Sequence, residues 1–161
     1  MLDVDGVLTD GRLIFGPEGE VQKRFHAHDG CAIMLWQRLG KKTAVLSSRT
    51  HPAVRARLGE LAIDWSCLGE ADKSSGYNRI RAMADCPNEA IAYVADDLPD
   101  VVCMARCGFA VAVSNAVPAV KRRADYITSR PGGDGAVAEL VELILRKQKR
   151  WTRGDLAGST G

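Results

Sequence analysis

Two features of the sequence predict an α/β fold with a parallel sheet and helices on both of its faces. Short apolar runs bounded by turn residues alternate along the chain with segments whose apolar residues recur at helical spacing. Because parallel strands are joined by crossovers, such alternation gives three layers, with the sheet in the middle. The length of 161 residues, with 46% hydrophobic and 26% charged residues, is typical of one globular domain. We therefore predict a single domain over residues 1–161.

The beginning of the chain predicts a strand, a hairpin and a helix. The hairpin, over 12–26, is predicted from two apolar-containing runs that flank "GPEGE", a turn rich in glycine and proline. Helical spacing then ends at Gly40, a residue type that stops helices. The predicted elements of this part are, in order, a strand over 1–4, hairpin strands over 12–15 and 21–26, and a helix over 30–39.

Strands and helices alternate regularly from residue 43 onward. "AIAYVAD" (90–96) is the most apolar of the strand patterns, and Pro52 suits the first turn of a helix, where its missing N–H is harmless. A small, polar tail over about 152–161 is predicted to be mobile. The alternation predicts a Rossmann-like sheet with no long insertion. The predicted strands cover 43–48, 63–68, 90–96, 109–114 and 125–129, and the helices cover 52–61, 73–84, 98–107, 117–124 and 135–151.

Composition excludes two classes of partner and favours one compartment. The net charge of +2 is too small to predict binding to nucleic acid. No apolar run reaches the roughly 18 residues that a membrane span needs, and the chain opens directly on acids rather than on a leader. The five cysteines contain no CxxC pair, which favours reduced thiols. We expect a cytoplasmic protein that binds neither nucleic acid nor membrane.

Polar side chains follow the predicted parallel strands at the edge where such sheets bind ligands. Two carboxylates lie at the end of the first strand and two more at the end of the strand over 90–96, while a lysine begins the helix over 73–84. No similar cluster marks the opposite edge. The polar residues at the ligand-binding edge are Asp3, Asp5, Ser47, Ser48, Arg49, Lys73, Asp96, Asp97 and Asp100.

The opening "DVD" is either a solvated turn or a cation site, because alternation places both carboxylates on one strand face, where like charges repel. Hard carboxylate oxygens suit Mg²⁺, which would neutralise Asp3 and Asp96 together. A carboxylate can attack phosphorus to form an aspartyl phosphate. Lys73 and Ser47 could then stabilise the phosphoryl oxygens, and Asp5 is close enough to give the leaving group a proton.

In this order, "DVDGVLTDG", a serine after a strand, "DK" and "DDLPD" resemble the four motifs of the haloacid dehalogenase superfamily. "GGDGAV" and the short hairpin extend the similarity to the capless branch that contains the 3-deoxy-D-manno-octulosonate 8-phosphate phosphatases. The resemblance implies a Mg²⁺-dependent phosphomonoester hydrolase without a cap domain. Its substrate would be a phosphorylated 2-keto-3-deoxy sugar acid, with 3-deoxy-D-manno-octulosonate 8-phosphate favoured and a role in lipopolysaccharide biosynthesis.

The resemblance also implies roles for individual residues. Asp3 would be the nucleophile and a metal ligand. Asp5 would be the general acid and base, with its backbone carbonyl on the metal, and Asp96 would be the third metal ligand. Ser47 would bind the phosphoryl oxygens and Lys73 would steady them. The remaining implied roles are substrate binding by Ser48 and Arg49, support of the metal ligands by Asp97, and positioning of Lys73 by Asp100.

Several residues depart from the family pattern and leave alternatives open. Ala95 stands where the family has glycine, which keeps open a non-catalytic oligomerisation domain of the same family. Ser48 also replaces a glycine, so either serine could bind the phosphoryl group. Asn115 and Val117 replace an acid and a histidine, so a related nonulosonate 9-phosphate is an alternative substrate.

Family resemblance and chain order bear on three further points. The resemblance implies a homotetramer joined through the hairpin 12–26, in which a neighbouring subunit closes the site. A phosphoacceptor receiver domain also combines acids, a hydroxyl and a lysine, but it places its acidic pair early, whereas here the pair 96–97 follows the lysine. Only two residues precede Asp3, where relatives carry several apolar residues, so the true start of the chain is left open.

Overall fold

The computed structural model describes residues 1–152, so nearly all of the predicted tail 152–161 lies outside the described residues. The strands are β1 (Ile14–Gly16), β2 (Gly19–Gln22), β3 (Ala44–Ser47), β4 (Trp65–Leu68), β5 (Ala92–Ala95), β6 (Phe109–Ala112) and β7 (Tyr126–Ile127). The helices are α1 (Ala27–Arg38), α2 (Pro52–Glu60), α3 (Lys73–Met83), α4 (Val101–Met104), α5 (Pro118–Lys121) and α6 (Ala136–Lys147).

The main sheet is parallel and has the segment 1–3 at its centre. Strands β3 and β4 pair on one side, and β5, β6 and β7 pair on the other. Leu2 joins the two sets, since it bridges Val45 in β3 and Val94 in β5, both in parallel. The order across the sheet is therefore β4, β3, segment 1–3, β5, β6 and β7. The predicted first strand thus occupies the centre of the sheet.

Helices cover both faces of this sheet, as the sequence predicts. Because crossovers between parallel strands are right-handed, this strand order assigns α1 and α2 to one face and α3 to α5 to the other. Helix α6 returns to pack against α1, and α3 packs against α4. Among residues 1–152, no insertion is larger than the β1–β2 hairpin, which agrees with the expected lack of a cap domain. No helix of this part of the chain is long and apolar enough to cross a membrane.

The hairpin has shorter strands and a tighter turn than the sequence predicts. Gly16 pairs with Gly19, so the turn contains two residues instead of the five of "GPEGE". Beyond Gln22 the chain leaves β1, and Phe25 forms an antiparallel bridge with Thr9. The predicted strands 12–15 and 21–26 were therefore wrong in their boundaries. The correction matters because the segment after β2 packs against the loop that follows segment 1–3.

Other boundaries also differ from the prediction, for local reasons. Helix α1 begins three residues earlier than the expected residue 30, because the ring nitrogen of His26 accepts the backbone N–H of His28 and caps the helix there. A 3-10 turn over Leu98–Asp100 precedes α4, where one helix over 98–107 was expected. Strand β7 has two residues instead of five, as the sheet ends there.

Candidate active site

All nine residues predicted to form the site lie around one cavity at the carboxyl edge of the sheet. The cavity has a volume of about 230 Å³. Its walls come from the ends of segment 1–3, β3 and β5 and from the start of α3, as expected of a parallel sheet. The lining residues are Asp3, Asp5, Gly11, Leu13, Ser47, Ser48, Arg49, Lys73, Asp96, Asp97, Pro99 and Asp100.

Lys73 and Asp3 form a buried ion pair at the floor of the cavity. The Lys73 ammonium donates to Asp3 Oδ1 at 2.5 Å and to the Leu46 carbonyl oxygen at 2.9 Å, and it lies 2.9 Å from Asp100 Oδ1. Although burial alone lowers it, the pKa of Lys73 is raised by the two neighbouring carboxylates. The Tyr93 hydroxyl donates to the same Asp100 oxygen at 2.7 Å. Lys73 thus lies between Asp3 and Asp100, in contact with both carboxylates.

A glycine turn brings Asp96 close to the segment that carries Asp3. Gly6 has φ +91°, a left-handed conformation that favours glycine, and a Cβ on it would overlap the Asp96 carboxylate. Gly132 approaches in turn so closely that its Cβ would overlap the Gly6 carbonyl oxygen. The two glycines allow backbone segments from distant parts of the chain to meet beside the carboxylates.

The carboxylates fit a divalent cation. Oxygen atoms of Asp3, Asp96 and Asp100 lie within 4.8 Å of one another. Asp96 Oδ1 is buried and has no hydrogen-bond partner among the described residues, whereas Asp100 is already bound to Lys73 and Tyr93. Burial raises the pKa of Asp3, and burial together with the charge of Asp3 raises that of Asp96 to about 8. A cation would relieve this repulsion and supply the missing partner.

The three predicted site residues in the loop after β3 differ from one another in burial and in contacts. Ser47 is buried, and its hydroxyl oxygen accepts the backbone N–H of Arg49 at 3.2 Å. Ser48 is exposed at the rim. Arg49 donates to Glu20 Oε2 at 2.9 Å, and its Nε lies 4.0 Å from Asp5 Oδ2. Both serines line the cavity, and they differ in burial. Asp97 caps the following turn by accepting the Leu98 backbone N–H at 2.7 Å.

The side chain of Asp5 lies apart from the other carboxylates. Its Oδ1 contacts the ammonium of Lys23, a residue that the sequence analysis did not single out. The Lys23 ammonium also lies 2.5 Å from Glu20 Oε1, and both residues belong to the hairpin segment 12–26. The cluster of carboxylate oxygens therefore contains Asp100 in place of the Asp5 side chain. The predicted metal contact of Asp5 is through its backbone carbonyl oxygen. The contact between the Asp5 side chain and Lys23 does not involve that oxygen.

One signal in the sequence points to Lys23. Alternation along a strand puts Lys23 and Phe25 on the same face, and Phe25 packs against the core. A lysine in phase with a buried aromatic residue is turned inward, where it needs an anionic partner. No comparable signal identifies Tyr93 as the partner of Asp100, since its strand is apolar on both faces.

A second cavity, of about 360 Å³, opens at the amino edge of the sheet. Its walls are mostly apolar, with contributions from Leu2, Ile33, Trp36 and Ile144. None of its lining residues is an aspartate or a glutamate. Although it is the larger of the two, it lacks the groups that phosphoryl or metal chemistry requires.

Comparison with known proteins decides the family. A model of the haloacid dehalogenase-like hydrolases matches residues 68–140. The 3-deoxy-D-manno-octulosonate 8-phosphate phosphatase of Haemophilus influenzae is 37% identical over 155 residues, which cover 96% of this chain and 86% of the relative. The chain belongs to the haloacid dehalogenase-like hydrolases. The phosphatase of the same name from Yersinia pestis is 36% identical over 159 residues, 99% of this chain and 82% of the relative.

Solved structures of the haloacid dehalogenase-like family share this fold. The cobalt-bound phosphatase of Haemophilus influenzae superposes with a TM-score of 0.90 at 38% identity, covering 92% of this chain and 87% of that one. The enzyme of Moraxella catarrhalis, solved with a magnesium ion, a phosphate ion and a KDO molecule, superposes with a TM-score of 0.89 at 34% identity. That match covers 93% of this chain and 86% of the other. The family and the parallel α/β architecture predicted from the sequence are thus confirmed.

Proposed function

We propose that this protein is a Mg²⁺-dependent phosphomonoester hydrolase that releases phosphate from 3-deoxy-D-manno-octulosonate 8-phosphate. One observation carries the proposal. The acids, the lysine and the serines that resemble the family's motifs line a single cavity, and a buried oxygen of Asp96 there has no hydrogen-bond partner among residues 1–152. The relatives named for this phosphatase activity match almost the whole chain. A relative of the same fold was solved with magnesium, phosphate and KDO.

In the proposed reaction, a carboxylate oxygen of Asp3 attacks phosphorus while the bond between phosphorus and the sugar oxygen breaks. Asp5 gives a proton to the departing sugar oxygen. Water then attacks the aspartyl phosphate, Asp5 takes up a proton from it, and phosphate leaves with Asp3 restored. Lys73, held by Asp100, keeps Asp3 oriented and offsets negative charge on the phosphoryl oxygens.

The proposed Mg²⁺ ligands are Asp3, Asp96 and the backbone carbonyl of Asp5. When bound, the cation would neutralise the phosphoryl oxygens and the carboxylates that face them. Asp97 would support this set, since it caps the turn that directly follows Asp96. Retention of Asp96 beside Ala95 leaves the proposed ligand set intact, although the family has glycine at position 95.

Substrate contacts are proposed for the loop after β3. The buried Ser47 hydroxyl at the cavity floor is the better placed group for the phosphoryl oxygens. Ser48, at the rim, would contact the sugar. The guanidinium of Arg49, which lines the cavity and is about half exposed, would pair with the substrate carboxylate.

We also propose one domain over residues 1–161, a cytoplasmic location and a homotetramer. Leu13, Ile14 and Phe15 in and beside β1 are exposed to 46%, 37% and 63%. A two-stranded hairpin is marginal alone in water, so joining hairpins from several subunits would bury this surface. Leu13 also lines the cavity, so a subunit seated there would close the site. The five free cysteines favour a reducing compartment.

A panel of sugar phosphates, assayed for phosphate release with Mg²⁺ and with EDTA, tests the function. We expect turnover of 3-deoxy-D-manno-octulosonate 8-phosphate with Mg²⁺ only. Asp3→Asn should lose about 1,000-fold or more, because an amide is a poor nucleophile, with unchanged circular dichroism. Asp64→Asn, an acid at the opposite edge of the sheet, is the matched control and should remain active. Preference for a nonulosonate 9-phosphate would reassign the sugar, and absence of all turnover would indicate a non-catalytic oligomerisation domain.

A further inference from the structure

The hairpin places one lysine inside the protein, against the proposed acid. The side chain of Lys23 has no exposed surface, and its ammonium contacts Asp5 Oδ1. Lys23 does not line the cavity, and its direct contact with a cavity-lining residue is the one with Asp5. A fully enclosed ammonium is unfavourable unless its partners are fixed. The buried position of Lys23 therefore depends on its interactions with fixed anionic partners.

Glu20 fixes the ammonium from the other side. Its Oε1 lies 2.5 Å from Lys23 Nζ, and its Oε2 accepts from Arg49 at 2.9 Å. The backbone carbonyl oxygen of Glu20 lies 3.2 Å from the ring Nε2 of His51. Although burial alone raises it, the pKa of Glu20 is lowered by the two cations. One hairpin carboxylate thus connects Lys23 with the loop that follows β3.

The two carboxylate oxygens of Asp5 have different surroundings: one contacts Lys23, and the other lies on the side of Arg49 and the cavity. Lys23 holds Oδ1, while Oδ2 is 4.0 Å from the Arg49 guanidinium at the cavity wall. A short carboxylate side chain with one oxygen fixed by an immobile ammonium has little rotational freedom. The orientation of Oδ2 is thereby set by a residue outside the cavity.

We propose that Lys23 is a positioning residue, which fixes the Asp5 side chain so that Oδ2 faces the leaving oxygen of the substrate. The inference rests on the proposed phosphatase function. Glu20 holds Lys23 in place, so the hairpin belongs to the catalytic apparatus of its own subunit as well as to the proposed assembly. Loss of the contact would let the Asp5 carboxyl rotate, and a displacement of about 1 Å lowers rates by about 100-fold in well-oriented sites.

The test compares wild type, Lys23→Met, Asp5→Asn and the double variant with saturating Mg²⁺. Methionine keeps the length of the side chain and removes its charge and donors. We expect Lys23→Met to lower kcat by about 10- to 100-fold with KM within about twofold. The double variant should be no slower than Asp5→Asn by more than about twofold, because the proposed effect of Lys23 on proton transfer to the leaving group passes through Asp5.

The leaving group supplies a second readout, which a merely structural role would not change. Release of the alcohol is followed in a single turnover, with the sugar phosphate and with para-nitrophenyl phosphate. Nitrophenolate departs without a proton, so both Lys23→Met and Asp5→Asn should lose less rate on this ester. Lys42→Met removes a lysine that pairs at 2.8 Å with Asp64 on the surface, and this control should match wild type on both esters.

Each outcome decides the inference. Losses that multiply in the double variant, or that are equal on the two esters, would overturn it. If Lys23→Met fails to fold, Glu20→Gln is assayed in the same way, and unchanged turnover in that variant refutes the proposal. An active wild type with a fully active Lys23→Met refutes only the positioning role. A wild type that hydrolyses no phosphate ester removes the proposed function, and the role of Lys23 with it.

Discussion

Asp96→Asn should stabilise the protein in EDTA at alkaline pH, although it removes a proposed metal ligand. Burial and the charge of Asp3 raise the pKa of Asp96 from 3.8 to about 8. In the unfolded chain this carboxyl returns to about 3.9. Between these two values the folded protein binds the extra proton, so the free energy of unfolding falls as the pH rises through that window.

The size of the effect follows from the same shift. Between about pH 5 and about pH 8, three units at about 1.4 kcal/mol each give an upper limit of about 4 kcal/mol. Asp96 is only half-buried, and solvent screening reduces the expected loss to about 2 kcal/mol. Asparagine carries no charge at any pH. Wild type should therefore lose about 2 kcal/mol more than Asp96→Asn across this range.

Urea unfolding in EDTA at the two pH values measures the difference, and repetition with Mg²⁺ tests its origin. Mg²⁺ should stabilise wild type and have little effect on Asp96→Asn, because a ligand that binds only the folded state shifts the equilibrium toward it. Asp64→Asn is the control. The pKa of Asp64 is lowered by Lys42 despite burial, so this acid is ionised throughout the range and its loss leaves the pH slope unchanged. Equal pH slopes in wild type and Asp96→Asn would refute the reasoning.

The other predictions concern the metal, the assembly and two structural contacts. EDTA should abolish turnover and Mg²⁺ should restore it; full activity after exhaustive chelation excludes the metal mechanism. Phe15→Asp should dissociate the oligomer and lower activity together, and a fully active monomer in light scattering contradicts this. Gly6→Ala should destabilise the fold by more than about 2 kcal/mol in urea, since its Cβ would overlap Asp96 at a positive φ. Asp29→Ala should cost about 2 kcal/mol, because the buried carboxylate accepts the N–H groups of Gly135 and Ala138 at the start of α6, at 3.3 and 2.8 Å; a loss below about 0.5 kcal/mol would contradict it.

The order of the layers and the location of the site could be predicted from the sequence, because both follow from the alternation of strands and helices. Apolar strands such as "AIAYVAD" indicate burial on both faces, and parallel strands bring their carboxyl ends to one edge. Asp3 and Asp96 could be placed together on that ground, 93 residues apart, without knowledge of any contact. The short central segment was also predictable as a strand, although only Leu2 forms bridges in it.

Contacts that single side chains make across the fold could not be predicted from the sequence. The hairpin register depends on the pairing of Gly16 with Gly19, which leaves only two of the five residues of "GPEGE" in the turn. The pairing of Lys23 with Asp5 requires the chain to leave β1 after Gln22 and bridge Thr9, which no local pattern reports. Such contacts are decided by tertiary packing, because the sequence gives a face for each residue but not the neighbour that it meets.

The central place of segment 1–3 has a consequence for the order of events during synthesis. The Met1 ammonium donates to the Ala92 carbonyl oxygen, 91 positions later, and the Asp3 backbone N–H donates to Val94. On the ribosome, β3 and β4 can emerge and pair while one side of this segment still lacks its neighbour. Contacts of such long sequence separation slow folding. Asp3, the proposed nucleophile, therefore reaches its final surroundings only after β5 and Asp96 have been synthesised, and a shorter nascent chain carries no assembled site.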